Sequence, residues 1–111
     1  MVDKKDKSLI LNQGEIVALK KAIMYLKFSC EETESLLYAS SPLINSIFSK
    51  LIAIDDLEQQ AIDFYNKRHA GNEMFVLSKL DKMELEYGRP LDKEIKENSF
   101  RECLYPFSKG E

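Results

Sequence analysis

Between Ser35 and Ile54 the chain reads SLLYASSPLINSIFSKLIAI, with Lys50 its single charge, although 32% of all residues are charged. A stretch this apolar has to be covered by something, so it constrains the fold more than any other part of the chain. Leu43, Ile44, Ile47, Phe48, Leu51 and Ile52 recur at i, i+1 and i+4, the period of a helix lying on a core. Ser46, Ser49 and Lys50 supply its other face. Ser41 followed by Pro42 marks the start, because proline's missing N–H does no harm at the first helical position. Burying the six apolar residues at ~1.5–3 kcal/mol each amounts to on the order of 10 kcal/mol gross. That is large beside a typical net stability of ~5–15 kcal/mol. The segment is therefore expected to be the central helix of a bundle, with any part left uncovered serving as a dimer or partner surface.

The flanking sequence is helical as well. Asn12 and Glu15 stand at capping-box spacing, and Ile16, Leu19, Ala22, Ile23 and Leu26 follow at helical period, with Lys20, Lys21 and Lys27 placed elsewhere; this predicts a helix over 13–28. Ser29 can cap a short helix ending near Tyr38, with Glu31, Glu32 and Glu34 in its first turn, where the helix dipole favours negative charge. Beyond Ile54 the period resumes at Leu57, Ala61, Phe64 and Tyr65. An aspartate pair can cap a new helix, so a break at Asp55-Asp56 is the alternative, but no glycine or proline forces one and a continuous or gently kinked helix is expected over 42–69. Gly71 suits a helix end and Asn72 a new cap. Val76, Leu77, Leu80, Met83 and Tyr87 mark the next helix, stopped by Gly88 and Pro90. A last helix over about 92–104 would bury Ile95, Cys103 and Leu104 before Pro106. No stretch alternates as a strand does. The expectation is an all-α fold, a compact bundle of four to five helices in one domain over 1–111, with 1–8 and 107–111 flexible.

At 111 residues the chain is long enough for one core without staples. Its net charge of −3 argues against a nucleic-acid binder, and no basic amphipathic stretch points to a membrane surface. No apolar run reaches membrane-spanning length. The opening MVDKKDKS is charged with both signs, and the LIL after it is too short for a signal-peptide core. Cys30 and Cys103 form no CxxC pair and read as buried thiols, which fits a reducing, cytoplasmic setting.

Familiar catalytic signatures are missing. His69, the single histidine, falls at a helix end, where a cation suits the dipole. There is no Glu-x-x-His pair, no glycine-rich phosphate loop and no calcium loop, so neither a metal nor another cofactor is expected, and no enzymatic role. Met74, Phe75 and Met83 are read as core filling, with an adaptable apolar groove as the alternative. Asp55, Asp56, Glu58 and Asp63 are acids at helical spacing, and with Tyr65 as an anchor they would make a docking surface for a basic protein.

The segment from Leu11 to Leu51 resembles a helix-turn-helix DNA-binding unit of the repressor type. On that resemblance Ser29 to Glu32 would open the first helix, Leu37 would be its core leucine, and Ile44 and Ile47 would be buried in the second. The unit would span 29–54 and present Ser41, Leu43, Asn45, Ser46 and Lys50 to the major groove. The chain departs from the pattern at Glu34, where a small residue is usual, and at Tyr38, where a turn glycine is usual. The favoured reading is a small module that acts by binding another protein, a basic one or a second copy. A helix-turn-helix regulator is the alternative.

Overall fold

The computed structural model describes residues 6–107. They form an all-α bundle of six helices with no strand: α1 (Gln13–Phe28), α2 (Leu36–Ala39), α3 (Pro42–Ile54), α4 (Glu58–Tyr65), α5 (Ala70–Tyr87) and α6 (Lys93–Leu104). A 3-10 turn, Thr33–Ser35, leads into α2. Helix α1 lies at the centre against α2, α3 and α5, while α6 runs along α5 and reaches α2, and α4 packs on α3.

Local chemistry accounts for several of the helix ends. The capping box forms at α1, where Glu15 N–H donates to Asn12 Oδ1 at 2.8 Å and Asn12 N–H to Glu15 Oε1 at 2.9 Å. Ser41 accepts from Ile44 N–H ahead of Pro42. Asp92 caps α6 by accepting from Glu94 N–H at 2.9 Å. Gly88 ends α5 in the left-handed region at φ 76°, a conformation glycine adopts without penalty.

The anticipated helix over 42–69 is broken at Asp55-Asp56. Asp55 turns its carboxylate back to accept from Leu57 N–H at 2.8 Å, so the side chain competes with the helical ladder. Helix α1 holds the turn from outside: Gln13 Nε2 donates to Asp55 at 2.9 Å, and Asp56 N–H donates to Gln13 Oε1 at 3.0 Å. This break makes six helices where four to five were expected, and the expected short helix ending near Tyr38 is the four-residue α2. Ser29 closes α1 instead of opening the next helix, its N–H donating to Tyr25 O. At the start of α5 the cap position is His69, and both Gly71 and Asn72 lie inside the helix.

Every helix contributes to one core, which includes Ile16, Ile23, Leu36, Phe48, Tyr65, Val76, Leu80, Phe100 and Leu104. Phe107 closes it, with its ring 5.2 Å from that of Phe28 and 5.3 Å from that of Tyr65. Phe107 was expected in a flexible tail, but aromatic packing buries it. Residues 1–5 and 108–111, the rest of the two ends expected to be flexible, lie outside the described residues; Asp6, Lys7 and Ser8 are exposed. Ile95 is exposed and Phe100 takes the inward position on α6.

Candidate functional site

Two features stand out once the helices are in place. The first is a pair of buried ammonium groups. Lys27 has no exposed surface, and its Nζ donates to three backbone carbonyls: Ala39 O at 2.8 Å, Glu102 O at 2.9 Å and Cys103 O at 3.4 Å. Lys79, also buried, donates to Leu26 O and Cys30 O at 2.9 Å and to Ser35 Oγ at 2.8 Å. The last carbonyls of a helix have no partner within it and carry the negative end of its dipole. Lys27 satisfies the ends of α2 and α6, and Lys79 the end of α1.

Burial lowers the Lys27 pKa from 10.5 to about 8, and it also lowers that of Lys79. Burial pushes the Cys103 thiol up to about 11 despite the two lysines nearby. A lysine near pH 8 has the acidity of a nucleophile, but Lys27 has no route to solvent and each of its three protons already has an acceptor. The pair ties helix ends together. The sequence pattern had placed Lys27 off the apolar face of α1. Its true register, Ile16–Ile23–Lys27, sits at i, i+7 and i+11, with Leu19 and Ala22 turned outward.

The second feature is the outward side of α2 and α3. Phe48 and Leu51 are buried and Ile44 and Ile52 pack at the core's edge, but Leu43 is 77% exposed and Ile47 45%. With Lys50 and Ile54 they occupy positions i, i+4, i+7 and i+11, a single row along the exposed side of α3 about 16 Å long at 1.5 Å per residue. On α2, Leu36 is buried while Leu37, at 70%, and Tyr38 are exposed. The central helix is α1, not the α3 expected; half of the apolar residues of this stretch are buried and the other half is uncovered surface.

The acidic surface read from the sequence separates into two sets. Asp56, Glu58 and Asp63 are exposed. Asp55 is buried in an ion pair with Lys20 at 2.8 Å, and hydrogen bonds from Lys20, the Leu57 N–H and Gln13 lower its pKa to about 2. Tyr65 belongs to the core, edge-on to Phe48 and beneath Lys20, whose Nζ lies 5.5 Å from the ring centre. Both therefore hold the fold.

The helix-turn-helix register is also altered, since Leu37 points out where the motif buries a leucine and Ile47 is exposed. Asn45 turns inward, its Nδ2 donating to the Glu102 carboxylate at 2.7 Å and to Glu102 O at 2.9 Å. Ser41 is half-buried in its cap, which leaves Leu43, Ser46 and Lys50 as the outward members of that set.

His69 stands at the N-cap position of α5, not at the C-terminal helix end expected, with Nε2 3.3 Å from Phe64 O in the last turn of α4 and its ring tilted against those of Phe64 and Phe107. Met74 is exposed, so core filling does not describe it; with Phe75 it lines a shallow groove on α5. Cys103 is fully buried and Cys30 half-buried, both as free thiols. Among the described residues no group of three or more His, Cys, Asp or Glu side chains is arranged to hold a metal ion. No single helix among them is long and apolar enough to cross a membrane.

No family model matches the chain, and neither a curated protein nor a solved structure matches it.

Proposed function

We propose that this chain is a protein-binding module whose contact surface is the outward side of α2 and α3. The observation that carries the reading is the row Leu43, Ile47 and Ile54 on α3, with Leu37 and Tyr38 exposed on α2 just before it in the chain: exposed apolar side chains on the least charged stretch of a highly charged chain. Scattered exposed leucines are ordinary on any surface, whereas an aligned row on one helix is the form in which a helix meets another protein. Such a surface needs shape and apolar area and no catalytic group. The inward orientation of Asn45 weighs against the DNA-binding alternative, because it withdraws the one side chain of that set suited to reading adenine.

Site-specific photocrosslinking in the source cells tests the reading. A photoreactive residue at Leu43 is expected to trap one discrete protein, and the same residue at exposed Lys93 on α6 is not. Equal trapping at both positions, or none at Leu43, would overturn it.

A further inference from the structure

We infer that the protein seated on this surface presents a helix whose apolar side is flanked by lysine or arginine, one of whose basic side chains enters the groove between α2 and the end of α5. This rests on the reading that the α2–α3 side binds a protein, and it names the chemistry of that partner. The groove has a volume of about 410 Å3, with Leu37, Met83 and Tyr87 among its walls and the carboxylates of Glu34 and Glu86 on it. Thr33 Oγ1 donates to Glu86 at 2.5 Å and so fixes that carboxylate in place. Glu34 stands three and four residues before Leu37 and Tyr38, on the side they share. A long basic side chain matches such a groove: its methylenes lie along the apolar walls while its charged head meets the acids. Lys82 of α5 donates to Glu31 O at 3.5 Å and, with Glu31, lines the separate groove beside Met74.

The charges around the row point the same way. The chain enters this surface through Glu32 and Glu34 and leaves it through Asp56 and Glu58, all exposed, with Lys50 the single cation between them along the chain. Two copies joined through α3 would bring acids onto acids whether the helices ran parallel or antiparallel. Like charges across an interface count against that pairing, so a second copy is the wrong occupant. An anionic membrane and a nucleic acid are repelled by the same acids. A helix with an apolar side and basic ends satisfies both the row and its borders.

Two synthetic peptides test this, each designed as the same leucine-faced amphipathic helix, one with lysine and arginine at its ends and the other with glutamate. Each is titrated into isotope-labelled protein and followed by backbone amide NMR. The basic peptide is expected to shift the amides of Leu37, Leu43 and Ile47 and to bind about tenfold more tightly than the acidic one, with the difference shrinking as salt is added. Combining Glu34→Lys with Glu86→Lys should abolish that preference, while Glu94→Lys with Glu97→Lys, which changes net charge equally but lies on α6, should preserve it. Melting curves of the variants establish that each is folded. Equal binding of both peptides at these amides would overturn the charge inference and leave the docking reading standing. If neither peptide shifts them, both fall. A dimer in sedimentation that is lost on Ile47→Glu would identify the occupant as a second copy and overturn the inference.

Discussion

Replacing Asp55 by asparagine removes one charge from the point where α1 holds the α3–α4 turn. The carboxylate accepts from Lys20 at 2.8 Å, from Leu57 N–H at 2.8 Å and from Gln13 at 2.9 Å. These bonds lower its pKa from 3.8 to about 2, and with only 4% of the side chain exposed little of that effect is screened by solvent. A difference of almost two units corresponds to roughly 2 kcal/mol at ~1.4 kcal/mol per unit. The folded pKa is the depressed one, so this stability is fully present above the unfolded value near 3.8 and is lost as pH falls through the folded value near 2. Urea unfolding of the wild type and Asp55→Asn, at steps from about pH 6 to about pH 2.5, reads the effect directly. The gap between the two proteins should be roughly 2 kcal/mol or more near pH 6, where the variant also leaves the Lys20 ammonium unpaired, and should narrow steadily below pH 4. Taking the difference cancels other carboxylates, such as Glu84, whose pKa is lowered chiefly by its hydrogen bond from Lys96. A gap that stays constant across the whole range would refute the reasoning.

The buried lysine pair makes an alkaline prediction. Lys27 loses its proton near pH 8 when folded and near 10.5 when unfolded, so stability should rise with pH above 8; Cys103, raised from 9.0 to about 11, works in the opposite sense from pH 9 upward. Wild-type stability should therefore rise from pH 8 to 9 and then level off, whereas Cys103→Ala should keep rising, as measured by denaturant unfolding along the pH series. Gly88→Ala should cost about 1 kcal/mol by the same method, because a left-handed residue at φ 76° strains any side chain even where the added Cβ meets nothing. Leu43→Ser and Ile47→Ser should change stability by no more than about 0.5 kcal/mol, whereas truncating buried Phe48 to alanine should cost ~3–5 kcal/mol in thermal or urea unfolding.

The features legible in the sequence are those fixed by neighbours along the chain. The Asn12–Glu15 box, Ser41-Pro42 and Gly88 each terminate a helix through contacts within a few residues, and each end lies where the pattern put it. The break at Asp55-Asp56 was legible only as an alternative, because the partners that fix it, Gln13 and Lys20, are 42 and 35 residues away. Lys27 and Lys79 could not be recognised as core residues from charge alone, since their burial depends on helix ends that meet only in three dimensions. The i, i+7, i+11 register of Ile16, Ile23 and Lys27 was the one signal present. Along α3 the apolar residues occupy too wide an arc for their period to say which half faces inward. Contact with α1 and α4 decides that, burying Phe48 and Leu51 and leaving Leu43 and Ile47 outside. Asp55 and Tyr65 were misread as surface residues for the same reason, and Asp56, Glu58 and Asp63 keep the exposure expected of them.

The central claim, that the outward side of α3 binds a protein, is tested most directly by a paired recovery from source lysate. Wild type and the Leu43→Glu/Ile47→Glu double variant are immobilised at equal amounts, after thermal melts establish that both are folded. The account predicts that a stoichiometric, nuclease-resistant protein is retained by the wild type and lost with the variant. Retention of the same protein in the same amount by the folded variant would contradict it.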